Sequence, residues 1–444
     1  MDTQTHRREQ QLPGSLWAAT ATPAPAYARA DRDLACDVAV IGGGYTGLST
    51  ALHLAKAGRS VIVAEAVEPG WGASGRNGGQ VIAGLKANPH ELLATFGPDL
   101  GIRIAKRMGA AADLVFDLIA RHGIDCHAKR SGWVQAAHGM GPLRDLVEPR
   151  CRQWAELGAG TEMLDQQQVA AALGSDPSAY VGGFRDPRGG VLQPLSYARG
   201  LAAAAMRQGV TILANMPVLD LQRDGAPWRL SIGAHSIRAA QVVLATNAYS
   251  GAFADRVRPD LRRAIIPVTS FQMATPPLTG EISRTILPGG EGVTDSRRLL
   301  LYFRRDHTGR LVMGGRSPVD DLPAKSDAVP LQAAIARIFP QLGRPTVDYV
   351  WTGKVAITKD KMPHIHMPEP GLFVFAGCNG RGVAMCTMMG ALLAELATGT
   401  APGDLDYPVT APDAFALHEF RKLGIFALSQ YYRLLDRIEA RRSA

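Results

Sequence analysis

The sequence predicts an α/β protein in which a parallel-sheet domain, assembled from separated stretches of chain, is joined to an α+β domain built on an antiparallel sheet. Three observations predict it. First, Val38–Ile41, Gly42-Gly43-Gly44-Tyr45-Thr46-Gly47 and Val61–Val63 read as strand, glycine turn with helix, and strand, closed by Glu65. Second, buried strand patterns return late in the chain at Gln241–Ala245 and Phe373–Ala376, as pieces of one sheet do after long excursions. Third, between 260 and 345 the pattern changes to apolar runs at 264–274, 299–304 and 310–314, which suggests antiparallel strands.

The first unit carries chemistry. Gly42 permits a tight turn, Gly44 has no Cβ and lets backbone approach a pyrophosphate, and Gly47 lets the helix lie close to the sheet. The helix N-terminus then turns unpaired N–H groups and a positive dipole end toward the phosphates. Leu48, Leu52 and Leu54 form its apolar side, and Glu65 is placed to accept from ribose hydroxyls. A glycine fingerprint alone is weak, but this one has its strand before, its helix after and its acid at the right spacing. It predicts a bound dinucleotide.

Composition narrows the class. The chain has 444 residues, 46% hydrophobic and 20% charged, enough for a sizeable core and two joined domains. Its net charge of +8 comes from scattered arginines, with no basic run interleaved with aromatics, so nucleic acid is not an expected partner. No apolar run is long enough to span a bilayer, and residues 1–30 lack a signal-peptide core, so a cytoplasmic location is expected. Five cysteines, with no CxxC pair and no metal-ligand spacing, predict reduced thiols and no metal.

The other segments follow in order. Residues 1–32 read as an arm without helix or strand pattern, with Trp17 packing on the body. Residues 91–122 are helical with a break near 97–101; Ser131–Ala137 is a strand, followed by helices near 143–157 and 165–173. A helix covers Leu195–Gln208, and a meander covers Val218–Leu221, Trp228–Ile232 and Ser236–Arg238. Residues 328–339 and Val383–Leu396 are helices. Phe415–Arg442 is basic and partly amphipathic; it reads as a cover helix on the nucleotide-binding domain, with membrane-surface contact as the alternative.

Two further glycine-rich segments point to a larger ligand. Gly377-Cys378-Asn379-Gly380-Arg381-Gly382 links a strand to a helix, so a second helix N-terminus faces a ligand. A flavin accumulates negative charge at its pyrimidine edge on reduction, and Arg381 with the loop amides supplies positive potential. Ala73-Ser74-Gly75-Arg76-Asn77-Gly78-Gly79-Gln80 carries glycines dense enough for close backbone contact with something flat or phosphorylated. Three separated contact segments favour FAD over NAD. An NAD-dependent dehydrogenase and a non-catalytic flavin protein are the remaining readings.

Cys36-Asp37-Val38 with Gly42–Ser49, Gly72–Gln80, Asn247-Ala248-Tyr249, Phe339-Pro340-Gln341-Leu342 and Trp351-Thr352-Gly353 resemble the flavin-dependent D-amino-acid oxidase superfamily. The similarity runs from about Ser15 to about Arg433 and is greatest to the gamma-glutamylputrescine oxidoreductase branch. The resemblance implies a Rossmann-type FAD-binding domain (33–85, 190–258 and 346–412), a substrate domain (86–189 and 259–345) and a C-terminal helical segment (413–444). It implies that Gly42, Gly44, Tyr45, Thr46 and Gly47 meet the pyrophosphate side and Glu65 the ribose. Ser74, Arg76, Asn77, Gly78, Gly79 and Gln80 would follow the ribityl chain and ring. Gly380, Arg381 and Gly382 would meet the pyrimidine edge, with Gly377, Asn379, Val383, Val218, Thr246 and Asn247 completing the cofactor set.

In relatives the second loop commonly reads Gly-Tyr/Phe-Ser-Gly-His-Gly; here Asn379 and Arg381 replace serine and histidine, which changes the polarity of the site. Sarcosine oxidases of the superfamily attach FAD to a cysteine near Trp351–Lys354, where this chain has none, so non-covalent FAD is expected. The resemblance further implies oxidation of a C–N bond by hydride transfer to the flavin, giving an imine that hydrolyses. A gamma-glutamylputrescine-like substrate is favoured, and a D-amino-acid or secondary-amino-acid dehydrogenase is the alternative. Oxygen, a quinone or a carrier would take the electrons. Arg381, Tyr302, Phe303 and Arg304 are the expected catalytic-site residues, with Tyr302 and Phe303 as pocket wall and Arg304 on a substrate carboxylate.

Overall fold

The computed structural model describes residues 11–223, 227–253, 257–316 and 323–442; residues 1–10 of the expected arm fall outside them. Two eight-stranded sheets organise the chain. The first runs His364–Glu369, Leu372–Ala376, His235–Leu244, Leu34–Ile41, Val61–Ala64, Thr211–Leu213, with Trp228–Ile232 and then Asp220–Arg223 branching from His235–Leu244, and its four pairings from Leu372–Ala376 to Thr211–Leu213 are parallel. Val38 lies opposite Val61 on one side and Gln241 on the other. Leu34–Ile41 is thus a central strand, which is why its last four residues are all buried.

Helices Tyr45–Lys56 and Gly382–Ala397 pack together over this sheet. Gly390 makes the approach possible, because a Cβ there would meet the Thr46 carbonyl oxygen at 2.6 Å. The second helix is apolar on every side and almost wholly buried, as an internal helix must be.

The second sheet runs Tyr349–Ile357, Ile266–Pro277, Arg310–Arg316, Tyr302–Arg305, Gly292–Asp295, Trp133–Ala137, Gly182–Asp186, Glu162–Leu164. It is antiparallel except where Gly292–Asp295 pairs with Trp133–Ala137. Phe271, Met273, Phe303 and Met313 project from it against helix Val329–Ile338 and Phe339, forming a separate core.

Four expectations are corrected. Ser236–Arg238 and Gln241–Ala245 are not separate strands but one strand, His235–Leu244. Its first half is flanked by the antiparallel strand Trp228–Ile232 and alternates in burial; its last three residues are flanked by Leu372–Ala376 and are all buried. Two hydrophobic rhythms in one strand read as two elements. The arm contains a helix, Leu16–Thr20, whose Ser15 side chain accepts from the Ala18 amide. Trp17 is fully buried, as expected, and donates its indole N–H to the Asn77 carbonyl at 2.8 Å. Tyr349–Ile357 pairs with Ile266–Pro277, so the second sheet reaches beyond residue 345. Helices Pro89–Gly109, kinked at Gly97, and Ala111–His122 pack into the core of the first sheet rather than the second.

Candidate active site

A cavity of about 780 Å³ runs between the two sheets. At one end stands the glycine turn. Gly42 has φ +105°, and a Cβ there would press on the Ala245–Thr246 backbone at 3.3–3.4 Å. A Cβ on Gly47 would lie 2.0 Å from the Gly42 carbonyl oxygen, so helix and strand close only on glycine. Ser74 Oγ accepts from the Tyr45 amide at 3.0 Å, tying the second glycine segment to the helix N-terminus. Glu65 accepts from the Gly43 amide at 2.6 Å and the Val67 amide at 3.0 Å. Burial nevertheless holds its carboxyl above the usual range, against the pull of those amides.

The middle of the cavity is walled by Ser74, Arg76, Asn77, Gly78 and Gln80. Asn77 organises this segment: its side-chain amide donates to the Ser74 carbonyl at 2.8 Å and its Oδ1 accepts from the Gly79 amide at 2.8 Å. Gln80 reaches across to the second sheet, donating to the Val293 and Phe303 carbonyls. Arg76 lies over the Trp71 ring at 4.3 Å and donates to the Trp71 carbonyl.

The second glycine loop closes the far end. Gly377 and Gly380 both have φ +87°, and a Cβ on Gly377 would meet Thr358 at 2.3 Å. Asn379 takes φ +46°, a left-handed conformation that asparagine tolerates. Its side chain faces Thr358 and the Gly377 carbonyl, and Asn247 Oδ1 accepts from the Gly377 amide at 3.0 Å. Arg381 immediately precedes helix Gly382–Ala397, donates to the Ala83 carbonyl at 3.0 Å and lies over the Trp133 ring at 5.3 Å. Burial, with repulsion from Arg150, pushes its guanidinium well below the usual range.

Of the expected residues, Gly42, Gly44, Tyr45, Thr46, Glu65, Ser74, Arg76, Asn77, Gly78, Gln80, Val218, Thr246, Asn247, Asn379, Gly380, Arg381, Gly382, Val383 and Tyr302 line this one cavity. Gly47, Gly79 and Gly377 stand behind it, shaping its backbone. Two expectations fail. Phe303 points the other way, into the second core, edge-on to Phe339 at 5.6 Å. Tyr302 faces the cavity, and alternation along the strand turns its neighbour away. Arg304 does not face a substrate. It is 3% exposed, lies over the Trp17 ring, and donates to the Gly78 and Leu192 carbonyls, each at 2.6 Å. It braces the cavity wall from behind.

Several cavity residues carry no sequence motif. Val268, Thr269, Ser270 and Gln272, all on one strand, line the cavity. Ser270 Oγ and the Tyr302 hydroxyl share a hydrogen bond of 2.8 Å. Gln272 donates to the Arg76 carbonyl at 2.5 Å, while its buried Oε1 has no hydrogen-bond partner. Lys86 is open to the cavity although protein surrounds it. Burial first, then Arg381, Lys361 and Arg150, brings its ammonium down to about 8, against an opposing pull from Cys378. The loop carrying it is clamped by buried Arg150, which donates to the Lys86 carbonyl, Asn88 and Gln135. Nine Lys or Arg line the cavity against two acids, Glu65 and Asp295, and Asp295 is paired with Arg297. Such a lining suits an anionic ligand.

A family model described as FAD dependent oxidoreductase matches residues 37–396. The chain belongs to that family. Among its relatives, gamma-glutamylputrescine oxidoreductase of Escherichia coli is 32% identical over 87% of this chain and 89% of that protein. The protein named probable oxidoreductase OrdL of Haemophilus influenzae is 31% identical over 90% of this chain and 92% of that one. The crystal structure of glycine oxidase from Geobacillus kaustophilus shares the fold, with a TM-score of 0.69 at 22% identity, covering 86% of this chain and 97% of that one. The oxidoreductase therefore uses FAD and acts on amines or amino acids. The cavity fits that cofactor: glycines where side chains would intrude, two helix N-termini, a cationic lining and an unpartnered acceptor at Gln272.

Proposed function

We propose that this oxidoreductase oxidises a C–N bond of an amine that carries an amino-acid head group, with gamma-glutamylputrescine the favoured substrate. The observation that carries the reading is the single cationic cavity reaching from the glycine turn to the polar face of the second sheet. It is long enough to contact a dinucleotide at Gly42–Thr46, Ser74–Gln80 and Gly380–Val383 and still border Tyr302, Ser270 and Gln272. The relative named for gamma-glutamylputrescine, matched along most of both chains, supports the substrate class.

In this reading Gly42, Gly44, Gly47 and the Tyr45 and Thr46 amides hold the pyrophosphate, and Glu65 the ribose. Ser74–Gln80 follow the ribityl chain, and Gly380–Val383 the pyrimidine edge. Bound FAD supplies the electron sink that takes the substrate's hydride. The protein provides alignment and charge. Arg381 and the N-terminus of helix Gly382–Ala397 keep positive potential beside the ring. Gln272 Oε1 accepts a hydrogen bond from an N–H donor, and Tyr302, held by Ser270, forms the wall behind it. Lys86, held on a loop clamped by Arg150, offers its cationic group to the substrate carboxylate. FAD is held non-covalently in this reading, because Trp351–Lys354, where sarcosine oxidases of the superfamily attach it, has no cysteine.

The test is anaerobic mixing of the yellow protein with gamma-glutamylputrescine, putrescine, sarcosine, L-proline and D-alanine. Gamma-glutamylputrescine should bleach the flavin fastest, by about tenfold or more over putrescine, which lacks the head group. Faster bleaching by D-alanine or L-proline would replace this reading with an amino-acid dehydrogenase.

A further inference from the structure

The C-terminal helix Arg421–Arg442 has two faces. Ile425, Leu428, Ser429 and Tyr432 turn inward and line the mouth of the cavity. Asp436 and Glu439 also turn inward, where Arg298 pairs with both, at 3.4 and 2.6 Å. The helix therefore packs on the second sheet's side, not on the nucleotide-binding domain as its sequence suggests. Its outer face remains bare. Of the thirteen large hydrophobic side chains most exposed among the described residues, five lie on this helix away from the cavity: Leu423, Phe426, Tyr431, Leu434 and Ile438. Leu423, Tyr431, Leu434 and Ile438 recur at helical spacing along this face, from 69% to 38% exposed. Such concentration is unusual for a solvated surface.

The charge pattern selects the occupant. The helix carries six Lys or Arg and two acids, and both acids turn inward and pair with Arg298. Lys422 and Arg433 are exposed beside the apolar stripe. What faces outward is thus an apolar stripe with a cationic rim. Two copies of the chain pairing through this face would bring like charges together, whereas an anionic lipid surface satisfies both features. No helix among the described residues is long and apolar enough to cross a membrane, so the contact lies in the interface plane.

We propose that the outer face of helix Arg421–Arg442 docks this oxidoreductase on anionic lipid surfaces. Because the same helix walls the cavity mouth, docking brings the active-site entrance to the membrane.

The test is co-sedimentation of the flavin-loaded full chain with vesicles of phosphatidylcholine alone and with about one quarter phosphatidylglycerol. Binding should be at least about tenfold stronger to the anionic vesicles and should fall in high salt. A Leu423→Asp, Leu434→Asp, Ile438→Asp variant should lose binding by about tenfold or more while keeping its flavin spectrum and melting temperature. A Lys422→Gln, Arg433→Gln variant, milder toward folding, should weaken only the anionic preference. The proposal is overturned if the parent ignores anionic vesicles, or if the aspartate variant binds as well as the parent. It is also overturned if the parent is a dimer in sedimentation equilibrium that the aspartate variant converts to monomer.

Discussion

The two ends of the cavity are built on different principles. At the glycine turn the backbone makes the site: side chains at Gly42, Gly44 and Gly47 would crowd their neighbours, and in the proposed reading the amides of the turn do the binding. At the second-sheet end side chains make it: Tyr302, Ser270, Gln272, Lys86, Arg150 and Arg381 converge from five separate stretches of chain. A backbone site is tied to one residue type at each position, whereas a side-chain site can be rebuilt with other residues. The fold and cofactor therefore follow from the first end, and substrate choice from the second.

The comparison breaks most sharply at Gly47. A Gly47→Val chain would force a Cβ against the Gly42 carbonyl and should cost about 3 kcal/mol or more, with FAD lost. Flavin content and a thermal melt check this; a variant that loads flavin normally would show that the turn is not backbone-limited.

At the other end, Arg381→Met should retain FAD but slow anaerobic flavin reduction by about 100-fold, because a preorganised positive group is removed. An unchanged rate would leave Arg381 with a purely structural role under its Trp133 and Ala83 contacts.

Arg304 tests whether a buried cation behind the wall is part of the site. Arg304→Met strips donors from the Gly78 and Leu192 carbonyls and should lower stability by about 2 kcal/mol, with KM unaltered in the protein that remains folded. A raised KM with an intact melt would return Arg304 to the substrate.

Lys86 gives the smallest effect, and one that depends on pH. In the folded chain it releases its proton near 8, but in the unfolded chain it keeps it until about 10.4. Its charge therefore opposes folding below about pH 8, and that opposition fades as pH climbs toward the unfolded value. Lys86→Met should melt a few degrees higher than the parent at neutral pH and equally near the unfolded value. A variant less stable at neutral pH would mean that Lys86 is paired rather than merely enclosed.

The difference between the ends also explains what could be read from the chain. Gly42–Gly47, Glu65, Ser74–Gln80 and Gly377–Gly382 were legible because close approach and positive φ restrict residue type, and the restriction shows as a motif. Tyr302 was expected as pocket wall on a second-domain strand and faces the cavity, but its neighbours were misjudged. Strand periodicity says that Phe303 faces away from Tyr302, yet not that a preceding wall needs Arg304 as its brace. Lys86, Arg150 and Gln272 bear no local signal, since their role arises from the meeting of a loop, a helix and a strand far apart in sequence. The C-terminal helix was legible as amphipathic, but which face it buries depends on Arg298, more than a hundred residues away.

The most direct test is to precipitate the purified protein with acid and identify what stays in solution. A cavity that holds its cofactor by backbone amides and charge should release about one FAD per chain, leaving a colourless pellet. Flavin retained on the precipitated chain, or a released nicotinamide dinucleotide in its place, would contradict the account.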